Sequence, residues 1–173
     1  SISCSFQVTV TDNILPNITC VPIGAVNNAV GLCGANVTVF TPITADNCGI
    51  DSLYNDFNLT NNGSDFYPVG TTVLTWYVVD IHGNTNSCTQ NIVVNDIQSP
   101  VFTYCPNDTI ICDPILNYTL PVATDNCSYT LNLISGWAPG STFLVGTTTV
   151  TYQAIDPSGN STLCSFDVTV NEP

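Results

Sequence analysis

LVGTTTVTYQAIDPSGNSTLCSFDVTV, residues 144–170, decides the fold of this chain. Val150, Tyr152 and Ala154 share one face of its first run. Cys164, Phe166, Val168 and Val170 share one face of its second, with Ser165, Asp167 and Thr169 opposite. Alternation of period two marks half-buried antiparallel strands. Asp156-Pro-Ser-Gly-Asn160 supplies the turn residues between them. The pattern recurs earlier in the chain as PVGTTVLTWYVVDIHGN at 68–84, with Leu74, Trp76 and Val78 inward. CTQNIVV at Cys88–Val94 repeats the second run loosely, and CSFQVTV at Cys4–Val10 repeats it almost letter for letter.

Working outward, Asp46-Asn-Cys returns at Asp125, and DNILP at Asp12 returns as DIQSP at Asp96. The offset between matching stretches drifts along the chain because loops differ in length. Two repeats follow, residues 12–95 and 96–173, and fixed-period repeats usually mean arrays. Residues 1–11 are expected to be the last strand of a preceding repeat, and Asn171-Glu172-Pro173 the opening of a linker to a next one. No signal peptide is visible from Ser1 onward, which suggests a slice of a longer protein. No stretch carries helical spacing with caps. The expected fold is all-β: tandem immunoglobulin-like β-sandwiches of about seven short strands each, with Greek-key connections and disulfide staples. Trp76 and Tyr152 are expected as equivalent inward residues, with Phe166 on the second one's face.

Composition bounds function. The 173 residues include no Lys or Arg, thirteen acids and a formal charge of −13. Such a chain has no cationic side chain with which to grip phosphate or an anionic membrane, so nucleic acid is excluded as a partner. It should instead attract cations. Only 8 % of residues are charged, against about a quarter in a typical soluble domain. Asn, Thr, Ser and Gly must therefore cover the surface. No apolar run of about 18 residues exists, so no membrane insertion is expected. Nine cysteines point to an oxidising compartment, outside the cell or on its surface.

Each repeat holds four cysteines in matching order: Cys20, Cys33, Cys48 and Cys88, then Cys105, Cys112, Cys127 and Cys164. Four cysteines allow three pairings. The inner gap, Cys33 to Cys48 and Cys112 to Cys127, is identical in the two repeats, whereas the outer gap, Cys20 to Cys88 and Cys105 to Cys164, is not. A constant inner gap suits a direct bridge, so Cys20–Cys88, Cys33–Cys48, Cys105–Cys164 and Cys112–Cys127 are expected. Cys4 stands at the position of Cys88 and Cys164, and its partner is expected in an upstream repeat or another chain. A zinc site is not expected, because no CxxC occurs and the lone His82 faces Ser158 in the alignment.

Cys105-Pro106, Pro121, Asp125-Asn126-Cys127, Gly146-Thr147-Thr148, Asp156, Gly159-Asn160 and Cys164 with Phe166 together resemble the hyalin repeat. The first repeat departs from it in Cys20-Val21-Pro22 and in Thr89-Gln90 after Cys88. The inner cysteine pair is similar to versions in large bacterial adhesins. The resemblance implies secreted, tandem, adhesive or structural modules with no catalytic residues to carry over.

An enzyme is not expected. A Ser-His-Asp set has only His82 to draw on, beside Asp80 in a tight turn, and no carboxyl stands in an apolar context suited to glycoside hydrolysis. The Asp-rich turns carry the one chemical signal. In an immunoglobulin-like sandwich the B–C and F–G loops emerge beside the incoming linker. Asp12, Asp46 and Asp80 should then converge in the first repeat, and Asp96, Asp125 and Asp156 in the second. Calcium takes six to eight such oxygens, which makes it the candidate cofactor at the repeat junctions. Asp and Asn that merely form turns are the alternative.

Eight Asn-X-Ser/Thr sequons begin at Asn17, Asn36, Asn58, Asn62, Asn107, Asn117, Asn126 and Asn160. Thr109 and Ser52 lie in Asp-Thr-Ile and Asp-Ser-Leu, which resemble an O-glycosylation pattern. The expected function is a non-catalytic structural or adhesive module of a long extracellular repeat protein (a stalk, adhesin or filament), with adjacent repeats or neighbouring subunits as partners. One alternative is a glycan- or protein-binding module at a sandwich end, with Tyr54, Tyr129 and Trp137 as candidate contacts. Another is a self-assembling filament subunit whose Cys4 strand enters a neighbouring chain.

Overall fold

The alternation that the sequence carries is what the strands use. In the computed structural model, which describes residues 1–171, the elements among those residues are all strands. Glu172 and Pro173, the expected end of the second repeat, lie outside the described residues. The chain divides into two units, Ser1–Val26 with Ala35–Val94 and Asn27–Gly34 with Asn95–Pro173.

The first unit uses β1 (Asn17–Thr19), β2 (Val26–Asn27), β3 (Gly34–Val37), β4 (Ile43–Ala45), β5 (Ile50–Asn55), β6 (Asp65–Pro68), β7 (Gly70–Asp80) and β8 (Thr85–Asn95). One sheet runs β2-β8-β7-β5, and the pairs β1-β4 and β3-β6 make up the other side. Between the layers lie Ile18, Ala35, Val37, Tyr67, Leu74, Trp76, Val78, Ile92 and Val94. Every second residue of β7 from Leu74 to Asp80 is buried, as a strand with one face on a core requires. Burying each large apolar side chain contributes about 1.5–3 kcal/mol against the chain's lost entropy.

The second unit uses β9 (Val101–Tyr104), β10 (Thr109–Ile111), β11 (Val122–Thr124), β12 (Thr130–Ser135), β13 (Gly146–Ile155) and β14 (Ser161–Val170). The larger sheet runs β10-β14-β13-β12 and the smaller one pairs β11 with β9. An isolated bridge between Ile115 and Thr142 stands where the first unit has β3-β6. The connection from β11 to β12 crosses between sheets, the sandwich form of a Greek key. β10 runs parallel to β14, with Ile110 beside Thr169, a pairing that alternation alone does not reveal. Phe143, Val150, Tyr152, Phe166, Val168 and Val170 form the core. Trp76 lies opposite Cys88, and Tyr152 opposite Cys164, so the central aromatics occupy equivalent inward places.

Cys20 is bonded to Cys88 and Cys105 to Cys164. The inner bridges differ from expectation. Cys33, whose segment Asn27–Gly34 packs with the second unit, is bonded to Cys127, and Cys48 and Cys112 are exposed thiols. Neither Cys33–Cys48 nor Cys112–Cys127 forms. The reason is geometric: Cys33 precedes β3 and Cys48 follows β4, strands of four and three residues. β3 pairs with β6 and β4 with β1, so the two do not fold back on each other as a hairpin. The constant inner gap therefore spans two strands that pair elsewhere and does not close a loop.

Candidate cation clusters and the cysteines beside them

Three turns build the cluster of the first unit. Asp46, after β4, accepts the Cys48 and Gly49 amides at Oδ2 (2.8 and 3.0 Å), which closes the turn into β5. Asp80, ending β7, accepts the His82 and Asn84 amides at Oδ1 (2.8 and 2.9 Å), and Asn84 Nδ2 donates to its Oδ2 at 2.7 Å. Gly83, at φ 86°, supplies the left-handed residue that this tight hairpin needs. Asp12 accepts the Ile14 amide at 3.0 Å, and its backbone carbonyl accepts from Asn84 Nδ2 at 3.3 Å. One carboxylate oxygen from each of Asp12, Asp46 and Asp80 then lies within 4.8 Å of the others.

The second unit builds the same object from the equivalent turns. Asp156 accepts the Asn160 amide and side chain, both at 2.8 Å. Asn160 also donates to the Asp96 carbonyl at 3.1 Å, and Asp125 accepts the Cys127 amide at 3.2 Å. Asp96, Asp125 and Asp156 again place oxygens within 4.8 Å of one another.

The electrostatics are unrelieved by any Lys or Arg. Burial pushes the Asp80 carboxyl up, but the bonds from the Asn84 side chain, the Asn84 amide and the His82 amide outweigh it and hold it below its ordinary value. Asp12 is also held down, chiefly by the Ile14 amide and the Cys48 thiol, with smaller help from Asn47 and His82. The same Asp12 carboxylate pushes the Cys48 thiol up, followed by partial burial and the charges of Asp12, Asp46 and Asp80. Asp46 Oδ1, Asp125 Oδ1 and Asn126 Oδ1 are buried with no hydrogen-bond partner. A buried acceptor without a donor costs about 1–3 kcal/mol, more when charged, unless something binds it. The three carboxylates of each cluster, with their orphaned acceptors, fit a hard divalent cation, although in the first unit Asp12 also groups with the Cys48 thiol and His82 within 4.8 Å.

His82 sits 3.6 Å from Asp12 Oδ2 with its side chain 38 % exposed. Of the sequons, Asn17, Asn36, Asn62, Asn107 and Asn117 are exposed, whereas Asn58, Asn126 and Asn160 are half-buried. The amides of those three donate to Asn62, to Asp96 and Leu32, and to Asp96 and Asp156. Ser52 and Thr109 are half-buried. Tyr54 stacks on Tyr77, Tyr129 donates to the Ala123 carbonyl, and Trp137 is half exposed. Sequence reasoning missed the orphaned amide oxygen of Asn126, although Asn beside Asp in both DNC motifs was a signal for it.

The HYR domain pattern matches residues 11–94 and again 95–170. Hyalin of Strongylocentrotus purpuratus is 41 % identical over 182 aligned residues, covering 95 % of this chain and 15 % of that protein. Hyalin of Lytechinus variegatus is 37 % identical, covering 98 % of this chain and 33 % of that protein. The sushi, von Willebrand factor type A, EGF and pentraxin domain-containing protein 1 of Rattus norvegicus is 30 % identical over 79 % of this chain and 4 % of its own length. The chain thus spans a third or less of the curated relatives it matches. Among solved structures, protocadherin gamma B2 cadherin domains 3–6 cover 91 % of this chain and 51 % of theirs, at 13 % identity and TM-score 0.41. Two family matches that together take in nearly every residue leave one assignment: the chain belongs to the HYR domain family, as two tandem copies.

Proposed function

We propose that this chain is a non-catalytic segment of an extracellular repeat array with a structural or adhesive role, and that calcium holds each repeat's entering segment to that repeat's own loops. The duplicated carboxylate cluster carries the reading: the same three positions converge in both units, each beside an orphaned carboxylate oxygen. Asp12, Asp46 and Asp80 would hold one ion, and Asp96, Asp125 and Asp156 with Asn126 the other. The bound ion supplies positive charge where no Lys or Arg exists. Extracellular placement is supported by the disulfides, and the exposed sequon asparagines offer glycan acceptors there. Calorimetric titration of the chelated chain should show two calcium sites, one lost in Asp80→Asn and the other in Asp156→Asn, with a calcium-dependent rise in melting temperature. Unchanged melting and no heat of binding would leave the acids as turn formers.

Residues 1–11 support a second element of the same reading, the last strand of a neighbouring sandwich. Phe6, Val8 and Val10 are 86, 71 and 85 % exposed, whereas their equivalents Phe166, Val168 and Val170 are 3, 0 and 3 % exposed. Deleting residues 1–10 should leave the melting temperature of the chain unchanged. A drop of several degrees would show that the segment serves this chain's own cores.

A further inference from the structure

The bridge between Cys33 and Cys127 has two unused halves elsewhere in the chain. Cys48 occupies in the first repeat the place that Cys127 occupies in the second, and its surroundings are duplicated in detail. The neighbouring amide Asn47 Nδ2 lies 3.1 Å from Cys48 Sγ, as Asn126 Nδ2 lies 3.3 Å from Cys127 Sγ. The preceding acids, Asp46 and Asp125, cap the Cys48 and Cys127 amides at 2.8 and 3.2 Å. Cys112 likewise stands where Cys33 stands. Cys33 comes immediately before β3, which pairs with β6, and Cys112 comes shortly before Ile115, which makes the equivalent bridge to Thr142. Cys48 and Cys112 are exposed thiols, while Cys33 and Cys127 are joined.

We propose that Cys48 and Cys112 are the two halves of the same staple, each closed by a further copy of this repeat, so that Cys112 of one copy bonds to the Cys48 position of the next. Cys33 shows the direction: its segment lies within the first family match but packs with the second unit, where Asn126 Nδ2 also donates to the Leu32 carbonyl at 3.3 Å. Closure by oxidised glutathione, a small-molecule disulfide, balances as two protein thiols and one disulfide giving one protein disulfide and two small thiols. The two electrons and two protons leave with the glutathione. The proposal rests on the repeat-array reading but not on calcium.

The test is a tandem of the whole chain, the first copy ending at Val170 and joined to Thr11 of the second, refolded in a glutathione buffer and alkylated before non-reducing peptide mapping. We expect a linked peptide between Cys112 of the first copy and Cys48 of the second. Alkylation at those two positions should fall at least tenfold below that of Cys48 in the first copy and Cys112 in the second, the internal controls. A folded tandem in which all four remain equally reactive, or in which Cys33–Cys48 appears, overturns the staple and leaves the array reading standing. A tandem that does not fold overturns both. A mixture of C4S/C48S with C4S/C112S chains separates the sources: a covalent dimer at micromolar concentration that forms in the mixture and in neither variant alone shows that separate chains can supply the halves. Bridging in the tandem alone restricts the staple to neighbours in one chain.

Discussion

The two repeats share a frame and differ at its centre. In the first, the aromatic on the inner face of β7 is Trp76, wholly buried, with its Nε1 lacking a partner. In the second, Tyr152 takes the equivalent place, and its hydroxyl lies 2.9 Å from that of Tyr118, which donates to the Trp137 carbonyl at 2.6 Å. Tyr118 also packs edge-on against Phe166, with ring centroids 5.0 Å apart. The first core is thus built on volume, the second on a smaller aromatic cluster with its polar ends satisfied. A sandwich of about 80 residues tolerates either solution because its outer staple, Cys20–Cys88 or Cys105–Cys164, limits the unfolded chain by about 4 kcal/mol in the loop-entropy treatment.

The largest test of this contrast is Trp76→Ala. It should cost about 3–5 kcal/mol, as a large cavity in a small core does. Urea unfolding should show the first unit melting well ahead of the second. A loss below about 1 kcal/mol would mean that volume is not what holds the first core.

Gly63 sharpens the same point with the opposite change. A Cβ at this residue would meet Trp76 Cζ2 and Val39 Cγ1 at 2.9 Å and Leu74 Cδ2 at 3.0 Å. Gly63→Ala should therefore cost about 1–3 kcal/mol by overpacking. The double variant with Trp76→Ala should cost less than the sum, since the methyl would enter the cavity. Strict additivity in the cycle would separate the two sites. On the other side, Tyr152→Phe keeps the volume and leaves the Tyr118 oxygen without its donor. It should cost about 1 kcal/mol, measured by the same unfolding curve. No change would show that water replaces the lost hydroxyl.

Much of this frame was legible in the residues. Period-two alternation in 74–80 and 164–170 located both cores, because a strand with one buried face has no other way to write itself. The three acidic positions of each cluster were legible because turns in this fold come out at one end, and Asp and Asn announce turns. The inner disulfides were not. Repetition at Cys33 and Cys48 carried two meanings, a closed loop or a repeated strand length, and the nine cysteines alone could not distinguish them. The parallel pairing of β10 with β14 was also hidden, since three residues, Thr109–Ile111, are too few to display a period.

The smallest expected effect lies in the carboxylate clusters, where the repeats differ by one ring. His82 stands 3.6 Å from Asp12 in the first cluster, and Ser158 takes its place in the second. The Asp12 and Asp80 carboxyls are held below their ordinary values, Asp12 mainly by the Ile14 amide, and Asp80 by the Asn84 and His82 bonds that overcome its burial. A carboxyl whose folded value lies below its unfolded one, near about 3.9, stabilises the fold above that pH and ceases to do so as pH falls through the folded value. The first unit should therefore lose melting temperature progressively below about pH 4. Calcium at millimolar concentration should move that loss to still lower pH, since protons must then displace the ion as well. His82→Ser removes the ring that borders Asp12 and makes the first cluster resemble the second, so calcium affinities of the two sites should converge to within a few-fold. Titrations of the parent and variant at one pH, each paired with an acid melt, measure both effects. If the acid loss is the same with and without calcium, the carboxylates take up protons there without giving up an ion, and the difference between the repeats resides wholly in their cores.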